Sequence, residues 1–388
     1  MANETSPRFK SGGGESRTLS EASRRDWLRL IRSERVGPLT FFRLIERFGS
    51  ASEALARLPE LARRGGGPAP AICPAPEADA EMEKIARLGG SFVAFGEPAY
   101  PPLLAHIEGA PPLLALLGHA SLLARKTVAV VGARNATLGG RRFARALATD
   151  LGREDYVVVS GMARGIDAAA HEGALQSGTI AVLGSGVDIP YPPENAALYE
   201  KLRDQGAIIS EMACGTQPLA RHFPQRNRII SGISQGVVVV EASPQSGSLI
   251  TARFALEQGR EVFAVPGAPG DPRAQGTNGL IRQGAVLTES AADVVAGLVQ
   301  FGDRRIEDPT SAYFPSDMVN TDIEAEALAR ARKIIVENLG LTPLPVDEII
   351  RSCQFSPAVV LTVLLELELA GRLERHPGNQ VSRLREAR

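Results

Sequence analysis

The middle of the chain alternates short β-branched runs with amphipathic helical patterns, and no other feature restricts its fold as strongly. Thr127 to Val131, Tyr156 to Val159, Thr179 to Leu183, Ala207 to Ile209, Val237 to Val240 and Glu261 to Val265 read as strands. The most apolar of these runs have the character of strands buried on both faces. Helical patterns fall between them at Arg141 to Leu151, Ala168 to Gln176 and Leu249 to Gln258. Strand and helix repeating through short Gly-rich connections predict an α/β core, a Rossmann-like doubly wound parallel sheet. Ligands of such a sheet bind at the carboxyl ends of its strands.

At 388 residues the chain exceeds one ordinary core. Composition shifts at Arg64 to Pro76 and at Phe301 to Asn320 read as linkers. The expected division is a disordered tail over 1–18, a helical domain plus linker over 19–76, the sheet domain over 77–300, a linker over 301–323 and a last domain over 324–388. In the first domain, helical spacing links Trp27, Leu28, Leu30 and Ile31, and again Phe41, Leu44, Ile45 and Phe48. Pro38 suits an early helical position and Gly49-Ser50 a stop. The last domain shows three helical patterns and a short strand pair, the layout of a winged helix, with Ser356-Pro357 opening the third helix and Gly371 closing it. That helix, Pro357 to Ala370, holds no Lys or Arg and carries Glu366 and Glu368. It is poorly suited to a DNA groove, and a protein contact is the expected role.

With 43 basic and 44 acidic residues the formal charge is -1, so attraction to a polyanion has to be local. Two segments provide it. Between Met212 and Val240 there is no acid, while Arg221, Arg226 and Arg228 supply cations. From Ser121 to Thr149, Arg125, Lys126, Arg134, Arg141, Arg142 and Arg145 stand without an acid among them. Arginine binds phosphate bidentately, so nucleic acid is the simplest partner. Cys73, Cys214 and Cys353 are too dispersed for a CxxC metal site or a disulfide framework. A reducing, cytoplasmic setting is expected, with no signal peptide and no membrane span.

Three strand ends carry glycine-rich turns. Gly132-Ala133-Arg134 through Gly140 opens a helix and suits a phosphate at the helix start, but it is neither a GxGxxG fingerprint nor a Walker A loop. Ser160-Gly161-Met162-Ala163-Arg164-Gly165-Ile166-Asp167 follows the next strand, and Gly184-Ser185-Gly186 a third. Asp167 and His171 are spaced to share a helix face, an arrangement more often structural than catalytic. Gly232-Ile233-Ser234-Gln235-Gly236 matches GxSxG, yet a helical run precedes it and a strand follows, the reverse of a nucleophile elbow. Ser246-Gly247-Ser248 caps a helix after a strand and suits a further phosphate or sugar contact. Phe223 is suited equally to core packing and to stacking on a base.

These motifs occur together in a familiar order. Tyr100-Pro101-Pro102-Leu103, Val131-Gly132-Ala133-Arg134, Ser160 to Asp167 with His171, Phe223-Pro224-Gln225-Arg226-Asn227-Arg228-Ile229-Ile230, Ser246-Gly247-Ser248, Pro266-Gly267 and Gly276-Thr277-Asn278 resemble the DNA-processing protein A (DprA/Smf) family over about Gly96 to Thr288. The flanks resemble the SAM-like and winged-helix domains of some members. The resemblance implies a recombination mediator of natural transformation, with no established catalysis. Such a protein binds and protects incoming single-stranded DNA, forms a homodimer through its Rossmann-like domain and helps load RecA. It implies no cofactor, no metal and no catalytic residue. Binding residues are expected at Gly132, Arg134, Ser160, Gly161, Arg221, Phe223, Arg226, Asn227, Arg228, Ser246, Gly247, Ser248 and Asn278. The alternative is a nucleotide-binding phosphoribohydrolase-like enzyme of a related fold. Its Pro-Gly-Gly-x-Gly-Thr loop is not matched by Pro266-Gly267-Ala268-Pro269-Gly270-Asp271.

Overall fold

A computed structural model describes residues 18–304, 325–376 and 378–384. All but the last residue of the expected tail over 1–18, and most of the expected linker over 301–323, lie outside the described residues. Two compact units result, one joining Ser20–Ala78 to the chain beyond Pro309, the other built on Asp79–Asp308.

The first unit begins with α1 (Glu21–Arg32), α2 (Pro38–Phe48) and α3 (Ala51–Arg64). Ser20 and Ser50 cap α1 and α3 by accepting the N–H of Ser23 and Glu53, and Pro38 opens α2. Gly49 closes α2 in the left-handed region at φ 77°, where only glycine sits without cost. Trp27, Leu28, Leu30, Phe41, Leu44 and Leu58 fill the space between these helices. α4 (Ala75–Arg87) follows and leads into the second unit.

The second unit contains β1 (Ser91–Ala94), β2 (Leu113–Gly118), β3 (Thr127–Val131), α5 (Leu138–Arg153), β4 (Val157–Ser160), α6 (Ile166–Ala174), β5 (Thr179–Val182), α7 (Ala196–Gln205) and β6 (Ala207–Ser210). It continues with α8 (His222–Ile233), β7 (Gly236–Val239), α9 (Gly247–Glu257), β8 (Glu261–Ala264), α10 (Gln275–Arg282), β9 (Val286–Leu287) and α11 (Ala291–Arg304). The sheet order is β1-β2-β6-β5-β4-β3-β7-β8-β9. From β6 to β9 every pairing is parallel, whereas β2 runs antiparallel to both β1 and β6. The six strands read from sequence are the parallel core, buried along nearly their whole length because helices cover both faces. Two apolar clusters, one on each face, divide successive residues of a strand between them: Ala129, Val131, Val157 and Val159 belong to one, Val128, Val130 and Val158 to the other.

The first unit is completed by α12 (Ala325–Asn338), β10 (Leu344–Pro345), α13 (Val346–Cys353), α14 (Pro357–Leu369), β11 (Leu373–His376) and β12 (Gln380–Arg383). The strands pair in the order β10-β12-β11, which makes the winged helix expected from sequence. Ser356 caps α14 by accepting the Val359 N–H, and Gly371 ends it at φ 70°. The glycine-rich stretch after Arg64 is not a free linker. A β-carbon at Gly65 would stand 2.0 Å from the Glu366 carbonyl oxygen, and one at Gly67 2.1 Å from that of Ala370. These glycines let the backbone lie against α14.

Candidate nucleic-acid interface

A cavity of about 500 Å³ opens at the carboxyl ends of β3, β4 and β5. Arg134 follows β3; Gly161, Ala163 and Arg164 follow β4; Leu183, Gly184 and Ser185 follow β5. Tyr191 to Glu194, Pro218 and, from α8, Phe223 and Arg226 complete the wall. Cations, aromatic rings and prolines thus share one concave surface.

Arg226 forms its base. The residue is 4% exposed, and its Nη1 donates to the Val182 carbonyl at 2.8 Å, which aims the guanidinium from α8 across the end of β5. Its buried Nε has no acceptor. Burial lowers its pKa to about 10, against the pull of the Asp167 carboxylate, so the charge survives at neutral pH. Asp167, in the first turn of α6, accepts the N–H groups of Gly161 at 3.2 Å and Ala163 at 3.3 Å. Burial raises its pKa, while Arg226 and these two bonds hold it down. The turn after β4 also carries Met162 at φ 61°, a left-handed conformation in a buried residue, secured by the Asn195 amide donating to the Met162 carbonyl at 2.8 Å.

His171 stands one helical turn beyond Asp167 but bonds elsewhere. Its Nδ1 lies 2.7 Å from Thr179 Oγ1, whose proton goes to the Val158 carbonyl at 2.8 Å. Nδ1 is therefore the donor, leaving Nε2 buried without a partner. Burial, reinforced by Arg226, lowers the imidazole pKa to about 3. Asp167 fixes a loop and His171 fixes a strand, which gives their spacing a structural explanation.

Above this base, the Arg134 guanidinium lies 5.1 Å and that of Arg226 6.0 Å from the centroid of the Phe223 ring. The Tyr191 ring is 5.9 Å from Phe223 at an interplanar angle of 40°. Arg164 reaches Glu194 at 3.3 Å in an exposed pair at the rim. Two guanidiniums beside a pair of tilted rings can hold a phosphate and a base together.

The structure brings together only some of the residues expected from sequence. Arg134, Gly161, Phe223 and Arg226 line the cavity. Ser160 is buried, its Oγ donating to the Val130 carbonyl at 2.6 Å, and Gly132 packs against Ile166. Arg221 is exposed at the start of α8, outside the lining. The Asn227 amide donates to the Gly247 carbonyl at 3.3 Å, and the hydroxyls of Ser246 and Ser248 bond each other at 2.7 Å. That group joins α8 to the start of α9. The Asn278 amide clamps the backbone of Gly267 from both sides, donating at 3.0 Å and accepting at 3.1 Å.

Two expectations need correction. Arg228 is not uncompensated, because Glu211, just outside the acid-free segment, forms a half-buried ion pair with it. Arg145 likewise pairs with Glu172. An acid-free stretch of sequence is not acid-free in space. The start of α5 is not open to a phosphate either: the Glu241 carboxylate, at the end of β7, accepts the Thr137 N–H at 3.0 Å and its hydroxyl at 2.5 Å. Thr137 Oγ1 in turn accepts the Gly140 N–H at 2.9 Å. The crevice between β3 and β7, where strand order reverses, is thereby closed by an internal anion. Ser234 of the GxSxG match is buried at the end of α8, donating to the Ile230 carbonyl.

Arg164 and the Tyr191–Glu194 wall were not anticipated as site residues. Gly184 and Ser185 were visible as a strand end, but nothing local marked Tyr191, Pro192 and Pro193 as the facing wall. Among the described residues no group of three or more His, Cys, Asp or Glu could hold a metal ion, and no helix is long and apolar enough to cross a membrane.

Fold and cavity define a Rossmann-like protein with a cationic, aromatic pocket over its strand ends, flanked in sequence by helical and winged-helix domains. Residues 91–299 match the family described as DNA recombination-mediator protein A, residues 21–83 the DprA-like N-terminal HHH domain and residues 321–379 the DprA winged helix domain. The chain belongs to this DprA/Smf family. It is 41% identical over 292 residues to Protein Smf of Escherichia coli (strain K12), covering 74% of this chain and 76% of that protein. It is 44% identical over 220 residues to DNA processing protein DprA of Streptococcus pneumoniae (strain ATCC BAA-255 / R6), covering 56% and 77%. The X-ray structure of DNA processing protein A from Streptococcus pneumoniae superimposes with a TM-score of 0.54 at 41% identity, over 57% of this chain and 77% of that one.

Proposed function

We propose that the pocket at the ends of β3, β4 and β5 binds single-stranded DNA, and that the protein is a cytoplasmic recombination mediator of natural transformation. It protects incoming strands and helps load RecA, acting as a homodimer through its Rossmann-like unit. The observation that carries the reading is Arg226, a buried guanidinium whose charge is incompletely met within the protein and which faces a cavity shared with Arg134 and Phe223. A phosphate beside Arg134 and Arg226 completes that charge, and a base finds Phe223 and Tyr191 as stacking surface. Contacts of this kind are indifferent to sequence, as a mediator acting on arbitrary strands requires. Gly132, Ser160, Asn227, Ser246, Gly247, Ser248 and Asn278 act as framework for the pocket and its neighbouring helices.

The test is fluorescence anisotropy with a labelled oligonucleotide at several salt concentrations, on the parent and on Arg134→Ala and Phe223→Ala. Both variants should bind more weakly, and only Arg134→Ala should flatten the salt dependence. Parent-like binding by both would refute the assignment. Stimulation of RecA-dependent strand exchange tests the mediator role separately, and release of adenine from AMP would favour the hydrolase alternative.

A further inference from the structure

In a winged-helix layout the third helix is the element normally offered to a DNA groove. Here that helix, α14, is buried on two faces. Val360, Val363, Leu364 and Leu367 belong to the core of its own domain. Thr362, Leu365, Glu366 and Leu369, spaced along the other face, are also buried but lie outside that core. The element packed there is α3, with the glycine-rich backbone that follows it.

The polar contacts are reciprocal. Arg35, in the loop after α1, donates to the Leu369 carbonyl at 3.0 Å, at the carboxyl end of α14. Arg372, just beyond α14, donates to the Gly65 carbonyl at 3.3 Å, at the carboxyl end of α3. Each domain thus places a cation at the negative end of the other's helix. The Thr40 hydroxyl donates to Glu368 at 2.7 Å, and Arg375 holds the same carboxylate at 2.7 Å. Glu366, fully buried, pairs with Arg332 at 2.5 Å. Both acids of α14 are therefore paired inside this unit, Glu368 through both oxygens and Glu366 through one, its Oε1 staying buried without a hydrogen-bond partner.

We infer that α14 is the intrachain docking element that joins the amino-terminal helical domain to the winged helix as one module, and that the winged helix consequently reads no DNA groove. The docking half of the inference stands on this unit alone. The second half rests on the proposed function, since it leaves nucleic-acid contact to the central unit.

The experiment uses the full chain with Gly65→Val and Gly67→Val together. Gly65 has φ -70°, open to any side chain, and no left-handed φ marks Gly67, so the pair acts by wedging α14 away and not by straining its own backbone. Hydrogen exchange should accelerate about tenfold or more in α14 and α3 and stay unchanged in β3 to β8, because opening would be local. Arg35→Ala with Arg372→Ala, which adds no bulk, should shift the same amides in the same direction by a smaller factor. Duplex DNA affinity should remain within about twofold of the parent for both pairs, a single phosphate contact being worth more than this at low salt. Unchanged exchange in α14 for both pairs overturns the docking. Accelerated exchange with a duplex affinity lowered tenfold overturns the exclusion from the groove, whatever single strands do at the central pocket.

Discussion

Arg226 occupies the space that a side chain at residue 161 would need: a β-carbon built on Gly161 would stand 1.8 Å from Arg226 Nη1. The glycine before the buried turn and the arginine of α8 are one device, since the guanidinium reaches the Val182 carbonyl only by crossing Gly161. Gly161→Ala should therefore act through Arg226. Its backbone needs no left-handed φ, so the cost is collision, about 1–3 kcal/mol of stability for overpacking. Single-strand affinity should fall by about tenfold or more as a charge-assisted contact is lost. Parent-like affinity in anisotropy, with reduced thermal stability, would show that Arg226 does not touch the strand.

Arg134 and Arg228 look equivalent in sequence, and their surroundings separate them. Arg134 is exposed beside Phe223, whereas Arg228 is paired with Glu211. Arg134→Ala should weaken binding and reduce the salt slope by ~0.7 for one lost phosphate contact on a single strand. Arg228→Ala should leave the slope unchanged and cost about 1–3 kcal/mol in urea unfolding, because Glu211 loses its partner in a half-buried position. A slope change for Arg228→Ala would place it back among the strand contacts.

The parallel core was legible because its strands are mostly apolar runs and the crossovers α5, α6 and α9 fall on helical patterns, whereas the crossover α7 was not read as a helix and α8 only as a helical run before Gly232. β1 and β2 escaped, although β2 is as apolar as the core strands, because antiparallel edge pairing depends on chain return and not on local pattern. Of the residues lining the cavity, Arg134 and Arg226 were marked by charge and Gly161 by its strand end, while Phe223 came from the family resemblance and was left open between core packing and stacking. Glu241 and Glu211 were not recognised as partners, since each stands at the edge of an acid-free segment and meets its cation or helix start only through the fold. Tyr191 carries no signal of its own; it joins the cavity because the segment after β5 folds back toward α8.

Glu241 should matter to the fold and not to DNA. Its carboxylate substitutes for an external anion at the start of α5, taking the Thr137 N–H and hydroxyl. Glu241→Ala should cost about 1–2 kcal/mol, the range for a lost helix cap, and Glu241→Gln less, with the charge–dipole part of about 0.3–1 kcal/mol removed. Urea titrations of the two variants measure both. Equal losses would mean that the charge contributes nothing and that only hydrogen bonding counts.

Acid stability tests the buried histidine. Folded His171 resists protonation until about pH 3, while the unfolded imidazole titrates near its ordinary 6.5. Between these values the unfolded chain binds more protons, so stability falls as pH falls, by at most about 1.36 kcal/mol per pH unit. Asp167 acts with the opposite sign just above 3.8, because its folded pKa is raised by burial and acidification there adds protons to the folded state. Arg226, the other charged neighbour, stays cationic throughout this range. Thr179, facing Nδ1, does not titrate. His171→Gln removes the first contribution and leaves the others. Chemical unfolding from pH 6.5 to 4.5 should therefore show the parent losing stability more steeply than the variant, the gap widening with each step toward acid. Parallel curves would mean that the folded imidazole is protonated as readily as the unfolded one, and that Nε2 is not sealed from solvent.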